Sequence, residues 1–240
     1  MKVAALYDIH GNLPALRAVL DDVAAFAPNL LVIGGDVVSG PQPEAVLDAI
    51  FGAGVLMRWV MGNADREVAD GDGPAGAPAT EIAAFAAERL RPEQLQLVET
   101  FQPSVATGGV LFCHGSPRAD DEILTTLSAA ARITEACARV RQRIVVCGHT
   151  HRQFDRQVGE LRLINAGSIG RPFEGEAAAF WLAVEDGVPE LRRTAYDVPA
   201  ALDELRDTGM PGLEEHFLHG SLVEPADPDA ISRELEALAG

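Results

Sequence analysis

The stretch VAALYDIHGN, residues 3–12, decides how the rest of the chain is read. Its apolar run, 3–7, has the length and β-branched start of a strand buried on both faces and is too short for a helix. The run stops at Asp8, His10 and Asn12, with Gly11 letting the backbone turn among them. The same figure recurs four times. Leu30–Ile33 leads into Gly34-Gly35-Asp36, and 55–61 into Gly62-Asn63-Ala64-Asp65. Val110–Cys113 leads into His114-Gly115, and Ile144–Cys147 into Gly148-His149-Thr150-His151. Each strand therefore ends in an oxygen or imidazole donor, at the edge where open α/β sheets bind ligands.

Helical patterns fill the intervals: Leu13–Phe26, 43–51 opened by Pro43, 81–90, 92–101 and 127–140. The Gly/Pro/Ala segment 70–80 reads as a loop. Beyond the last donor cluster the alternation changes. Segments 153–158 and 161–164 form a hairpin across Gly159-Glu160, 178–184 and 191–196 are two more strands, and 199–240 is acidic and helical. Strands alternating with helices and then meandering predict an α/β fold, a layered α/β/β/α sandwich rather than a simple doubly wound sheet. The predicted organisation is one domain over 1–198 with a helical extension, 199–240, packed on it.

Composition narrows the partners. The 240 residues are 48% apolar, enough for an ordinary core and incompatible with a disordered chain. Nineteen Lys and Arg against 36 Asp and Glu give a net charge of -17. Such a surface repels long nucleic acid and anionic membranes. Lys2 is the only lysine, a bias attributed to GC-rich coding and given no functional meaning. Three cysteines, Cys113, Cys137 and Cys147, predict free thiols in a reducing compartment. With neither a signal-peptide pattern nor a membrane-length apolar run, the expected location is the cytoplasm.

The donor types suit a transition metal. Mixed carboxylate, imidazole and amide ligands favour Mn, Fe or Zn over Ca or a thiolate site. Asp8 and His10 are two residues apart, as are His149 and His151, so an extended backbone would aim each pair to one side. Taken singly, each residue has a plainer reading: Asp8, Asp36 and Asn63 serve equally well as helix N-caps, and a lone His-Gly as a loop. Four of the six histidines, however, fall at these strand ends.

The ordered set D-x-H, G-D, G-N-x-D, H-G and G-H-x-H resembles the calcineurin-like metallophosphoesterase superfamily, as do GDVVSGPQPEAVL, CHGSP and NAGSIGRP a bacterial branch of small stand-alone phosphoesterases. The resemblance implies a four-layer sandwich of two mixed sheets with flanking helices. It also implies two divalent ions, Mn or Fe with Zn as the alternative. One ion would take Asp8, His10 and His151, the other Asn63, His114 and His149, with Asp36 bridging. Asn12 and the 165–168 turn fall at supporting positions. Catalysis would proceed through a metal-bridging hydroxide attacking a small phosphoester, with Asp36, Asn63, His114 and His149 at the reacting centre.

One position departs from the family pattern. Where many members carry a histidine thought to protonate the leaving group, this chain has Ala64. Loss of a general acid costs about 10²–10⁴-fold on poor leaving groups. The expectation is a phosphodiesterase for small substrates with acidic leaving groups. A dinucleoside polyphosphate hydrolase, a phosphoprotein phosphatase and a catalytically silent metal-binding scaffold are the alternatives. Among arginines near the motifs (Arg66, Arg118, Arg152 and Arg171), Arg66 and Arg171 are preferred for gripping a phosphoryl oxygen. Cys113 and Cys147 are expected to be core residues, as are Trp59 and Trp181; His216 and His219 are assigned to surface or packing. Homo-oligomerisation is left open.

Overall fold

A computed structural model describes residues 1–71 and 78–239. The elements of the first half are β1 (Lys2–Leu6), α1 (Leu13–Phe26), β2 (Leu30–Ile33), α2 (Pro43–Gly52), β3 (Met57–Trp59), α3 (Asn63–Asp70), α4 (Pro78–Arg89), α5 (Pro92–Val98), β4 (Ser104–Thr107) and β5 (Val110–Cys113). There follow α6 (Ala130–Ala136), β6 (Ile144–Cys147), β7 (Phe154–Val158), β8 (Leu161–Asn165), β9 (Ala179–Glu185), β10 (Val188–Thr194), α7 (Val198–Arg206), a π-helical turn (Leu213–Leu218) and α8 (Pro228–Leu238).

Two five-stranded sheets result, ordered β10-β9-β1-β2-β3 and β4-β5-β6-β8-β7. Both are mixed: β1, β2 and β3 run parallel, β9 pairs antiparallel with β1 and β10 antiparallel with β9, while β5, β6 and β8 run parallel with β4 and β7 antiparallel. Alternation along β1 builds the layers. Val3, Ala5 and Tyr7 point between the sheets, packing with Val32, Phe112, Val146, Ile164 and Leu182. Ala4 and Leu6 point the other way, into a cluster with Leu16, Val19, Val46, Leu47 and Ile50 of α1 and α2. On the far side, Leu111, Val145 and Leu163 of the second sheet cover Ile133 and Ala136 of α6. The chain is thus the predicted α/β sandwich of two mixed sheets between helices. Its C-terminal segment forms a fourth cluster, in which Leu205, Leu213, Phe217 and Leu218 bury Phe85 of α4.

Several predicted boundaries shift. Segment 55–61 shrinks to β3, and Val60 instead bridges to Gln102. Helix 127–140 shrinks to α6, because Ser128 Oγ accepts from the Thr125 amide and closes a turn ahead of it. Helix 92–101 ends at Val98. The predicted loop 70–80 is cut into from both sides: Asp70 ends α3 and Pro78 opens α4, while 72–77 lie outside the described residues. β4 pairs antiparallel with β5 but carries half-exposed SVAT, too weak a pattern to predict. α3 was equally hidden, since NADREVAD buries only Ala64, Asp65 and Val68. The extension is also only partly helical, with turns flanking its π-helical element. All three cysteines are free and buried. No helix among the described residues is long and apolar enough to cross a membrane.

Candidate metal centre

The donors converge where the carboxyl ends of the two sheets meet. Beyond β1 and β2 the two chains stay zipped by backbone bonds: Asp8 N–H to Gly35 O (3.1 Å), His10 N–H to Asp36 O (2.8 Å) and Gly11 N–H to Val37 O (2.9 Å). The second sheet is tied on by the His149 amide, which donates to Asp8 Oδ2 at 3.0 Å, and by Tyr7 Oη donating to Val146 O at 3.2 Å. Asn165 reinforces the same corner, its Nδ2 donating to Gly148 O (2.6 Å) and Thr150 Oγ1 (2.9 Å). Ser168 Oγ donates to Asp8 O at 2.8 Å.

Asp8, His10, Asp36 and His149, with His151, do not reach the site through extended backbone. All five have positive φ, between 47° and 67°. The two-residue spacing therefore places each pair by left-handed turns, not by strand alternation, and such strain in non-glycine residues is typical of functional sites. The plainer capping alternative is not realised either: Asn12, Gln42 and Gly62 occupy the N-caps of α1, α2 and α3.

Two groups of donors form, sharing one carboxylate: Asp8, His10, Asp36 and His151, and Asp36, His114 and His149, each with its donor atoms within 4.8 Å of one another. His114 Nε2 lies 3.3 Å from Asp36 Oδ2, and His151 Nε2 lies 3.3 Å from Asp8 Oδ1. Three imidazoles are oriented from behind, Nδ1 facing a carbonyl: His10 to Ser39 O (3.1 Å), His114 to Gly34 O (2.9 Å) and His151 to Arg171 O (2.8 Å). A carbonyl only accepts, so Nδ1 of each ring carries a proton and Nε2 faces the cluster. His10 Nε2 and His151 Nε2 face each other at 3.1 Å. Asn63 Oδ1 and His114 Nε2 are buried without a hydrogen-bond partner. Two imidazole nitrogens facing each other and orphaned polar atoms beside two carboxylates fit a bound cation.

Burial and the neighbouring side chains set the charges within the cluster. Burial opposes ionisation of Asp8 and Asp36, yet the neighbouring imidazoles, His151 and His114 foremost, hold both below the ordinary carboxylate range. Burial drives His10 down to about 3. Burial also opposes a charged His114, but Asp36 and Asp8 outweigh it and lift that ring to about 10. Burial, with His114 beside it, lowers His149.

Close packing shapes the shared carboxylate. The Ala64 amide donates to Asp36 Oδ1 at 2.9 Å, and a Cβ on Gly62 would lie 2.2 Å from both Asp36 N and Oδ1. Asp65, which sequence reading passed over, braces this loop: its Oδ1 accepts from the amides of Val37 (2.8 Å) and Val38 (3.0 Å). Its place within G-N-x-D was the available signal. Asn12 is occupied in scaffolding, its Oδ1 capping Ala15 N–H (3.1 Å) and its Nδ2 donating to Gly170 O (3.0 Å). Arg66 makes a bidentate pair with Asp120, at 2.7 and 3.1 Å. Arg118 pairs with Glu122 and Arg152 with Asp229. Arg171 has no carboxylate partner among the described residues.

This sandwich, with carboxylate–imidazole clusters at the meeting edges of its sheets, is of the metallophosphoesterase class. The chain belongs to the calcineurin-like phosphoesterase superfamily, whose domain matches residues 1–187. A hypothetical protein from Pyrococcus horikoshii is similar in structure, with TM-score 0.76 and 21% identity over 88% of this chain and 94% of that one. So is a metallophosphoesterase from Sphaerobacter thermophilus, with TM-score 0.71 and 22% identity over 99% and 98%. A novel archaeal phosphodiesterase aligns at TM-score 0.50 and 17% identity over 80% and 99%. At these identities the likeness is one of fold. No curated protein matches the sequence significantly.

Proposed function

We propose that this protein is a dinuclear-metal-dependent phosphodiesterase acting on small substrates with acidic leaving groups. The observation that carries the proposal is the pair of donor groups sharing Asp36, completed by the orphaned Asn63 Oδ1. One ion would be held by Asp8, His10 and His151 and the other by Asn63, His114 and His149, with Asp36 common to both. Bound divalent ions supply Lewis acidity there, neutralising phosphoryl oxygens and rendering water nucleophilic near neutral pH. Mn or Fe suits the mixed donor set, with Zn as the alternative.

The chain's own residues define the rest. Asp8 and Asp36 stay ionised under the influence of the surrounding imidazoles. The carbonyls of Ser39, Gly34 and Arg171 fix three ring tautomers. Ala64 orients Asp36 through its amide and has no side-chain proton to offer. A leaving oxygen must therefore depart as an anion, which favours aryl oxides and phosphoanhydrides over alkoxides. The acidic surface limits substrate size, because bulk repulsion acts on long polyanions while screening fades it over about 8 Å at physiological salt. We read 199–240 as an extension packed on the 1–198 domain.

The test is a panel of monoesters, diesters and dinucleotides with the metal-reconstituted protein. Hydrolysis rates rising with leaving-group acidity support the reading; metal uptake without turnover on any of them would favour the scaffold alternative that Ala64 also permits.

A further inference from the structure

In a chain with 36 acids and 19 basic side chains, an unpaired arginine beside an acidic cluster needs an explanation. Arg171 is that residue. Its Nε is buried and has no hydrogen-bond partner. Its Nη2 donates to the backbone carbonyl of His216 at 2.6 Å, and its Cζ lies 5.2 Å from the centroid of the Phe217 ring. Phe217 is 1% exposed, and its ring meets His10 edge-on with centroids 6.3 Å apart. Phe217 thus touches both the guanidinium and a donor of the metal centre. The backbone carbonyl of Arg171 itself faces Nδ1 of His151, another donor, at 2.8 Å. The guanidinium therefore lies beside the cluster without being neutralised by it.

Both contacts that hold this side chain come from the π-helical turn Leu213–Leu218, beyond the 1–187 stretch that matches the family domain. The turn is unusual in itself, since π-helical turns are rare and concentrate at functional sites. It is entered through Gly212 at φ 63°, where a Cβ would lie 2.6 Å from the His216 ring. It is anchored in the cluster of Phe85, Leu205, Leu213 and Leu218.

We propose that Arg171 forms a subsite for a non-bridging oxygen of the substrate's phosphoryl group, and that Phe217, with the His216 carbonyl, positions it. The proposal rests on the phosphoesterase reading above and makes the C-terminal segment a wall of that site. The ligand class is a tetrahedral phosphoryl oxyanion, whose charge would supply the partner that no carboxylate among the described residues provides and offer an acceptor to the orphaned Nε–H.

Inorganic phosphate serves as the probe, titrated calorimetrically into the metal-loaded protein alongside steady-state kinetics on an aryl phosphodiester. A charge-assisted hydrogen bond of about 1.5–3 kcal/mol corresponds to about 10–100-fold in affinity. Arg171→Gln should weaken phosphate by that factor with metal content unchanged, and Arg171→Lys should recover part of it. Phe217→Leu, which keeps the core filled, should weaken phosphate several-fold and raise KM more than it lowers kcat. Unchanged phosphate affinity in Arg171→Gln, or a loss confined to thermal stability in both variants, would overturn the subsite. Failure of the wild-type protein to hydrolyse any ester would instead count against the phosphoesterase reading, and the phosphate titration would still decide the role of Arg171.

Discussion

The amide of Ala64 donates to Oδ1 of Asp36 at 2.9 Å, so the residue that lacks a proton-donating side chain still shapes the carboxylate common to both donor groups. Backbone and side chain at this position are separable. Ala64→His leaves the amide bond in place and adds an imidazole. Metal content should stay as in the wild type, while hydrolysis of alkyl diesters should rise by about 10²-fold or more and that of aryl diesters much less. The check is a plot of log rate against leaving-group pKa, whose slope should flatten in the variant.

Membership of both donor groups singles out Asp36. Asp36→Asn should reduce bound metal more than His149→Ala or His151→Ala, each of which should cost about one ion of the proposed two-metal site. Elemental analysis of purified, reconstituted protein measures this directly. Equal losses in all three variants would mean that the two groups do not share a bridging ligand.

Chelation should lower thermal stability as well as activity. The cluster buries two carboxylates and confronts His10 with His151, an arrangement that a cation relieves. A ligand at 100 times its Kd stabilises the native state by about 2.7 kcal/mol. Re-addition of Mn to the stripped protein should therefore raise Tm by several degrees, read by calorimetry.

Gly62 has no room for a side chain: its Cβ would lie 2.2 Å from Asp36 N and Oδ1. Gly62→Ala should displace Asp36 and weaken metal binding at least tenfold, an effect of the size seen when the groups that support a metal ligand are disturbed. Gly54→Ala makes a control for the loss of a glycine, since a Cβ there meets nothing within 4 Å; its φ of 65° predicts a modest loss of stability with metal affinity intact.

Tyr7 spans the two sheets through Oη to Val146 O at 3.2 Å. Tyr7→Phe should cost about 1 kcal/mol in chemical denaturation. Because the removed hydroxyl lies in the inter-sheet core and not among the donors, metal content should be unaffected.

The strand ends were legible because each pairs a run of apolar residues with a polar stop, a pattern visible without any long-range information. Asp8, His10, Asp36, Asn63, His114, His149 and His151 are all found in that position. Less was legible where local signals were weak or shared. β4 offers only Ser104–Thr107 with half-exposed side chains, so its strand state comes from pairing with β5. α3 buries only two apolar residues, Ala64 and Val68, and its first turn is held by the contact of Ala64 with Asp36. Among four arginines near motifs, nothing in the sequence separated Arg66, tied to Asp120, from Arg171, which has no acid partner among the described residues.

By itself, the sequence determined the α/β alternation, the donor types and their order along the chain, because these depend on apolar periodicity and on what each side chain can bind. The tertiary structure decided which donors meet, by zipping the ends of β1 and β2 together and by the His149–Asp8 bond between sheets. It also decided how they are aimed: left-handed turns at Asp8, His10, Asp36, His149 and His151 replace the strand geometry that their spacing suggested. And it brought Phe217 against His10, residues separated by most of the chain. Contacts at such separation follow from how whole layers pack, which no local pattern encodes.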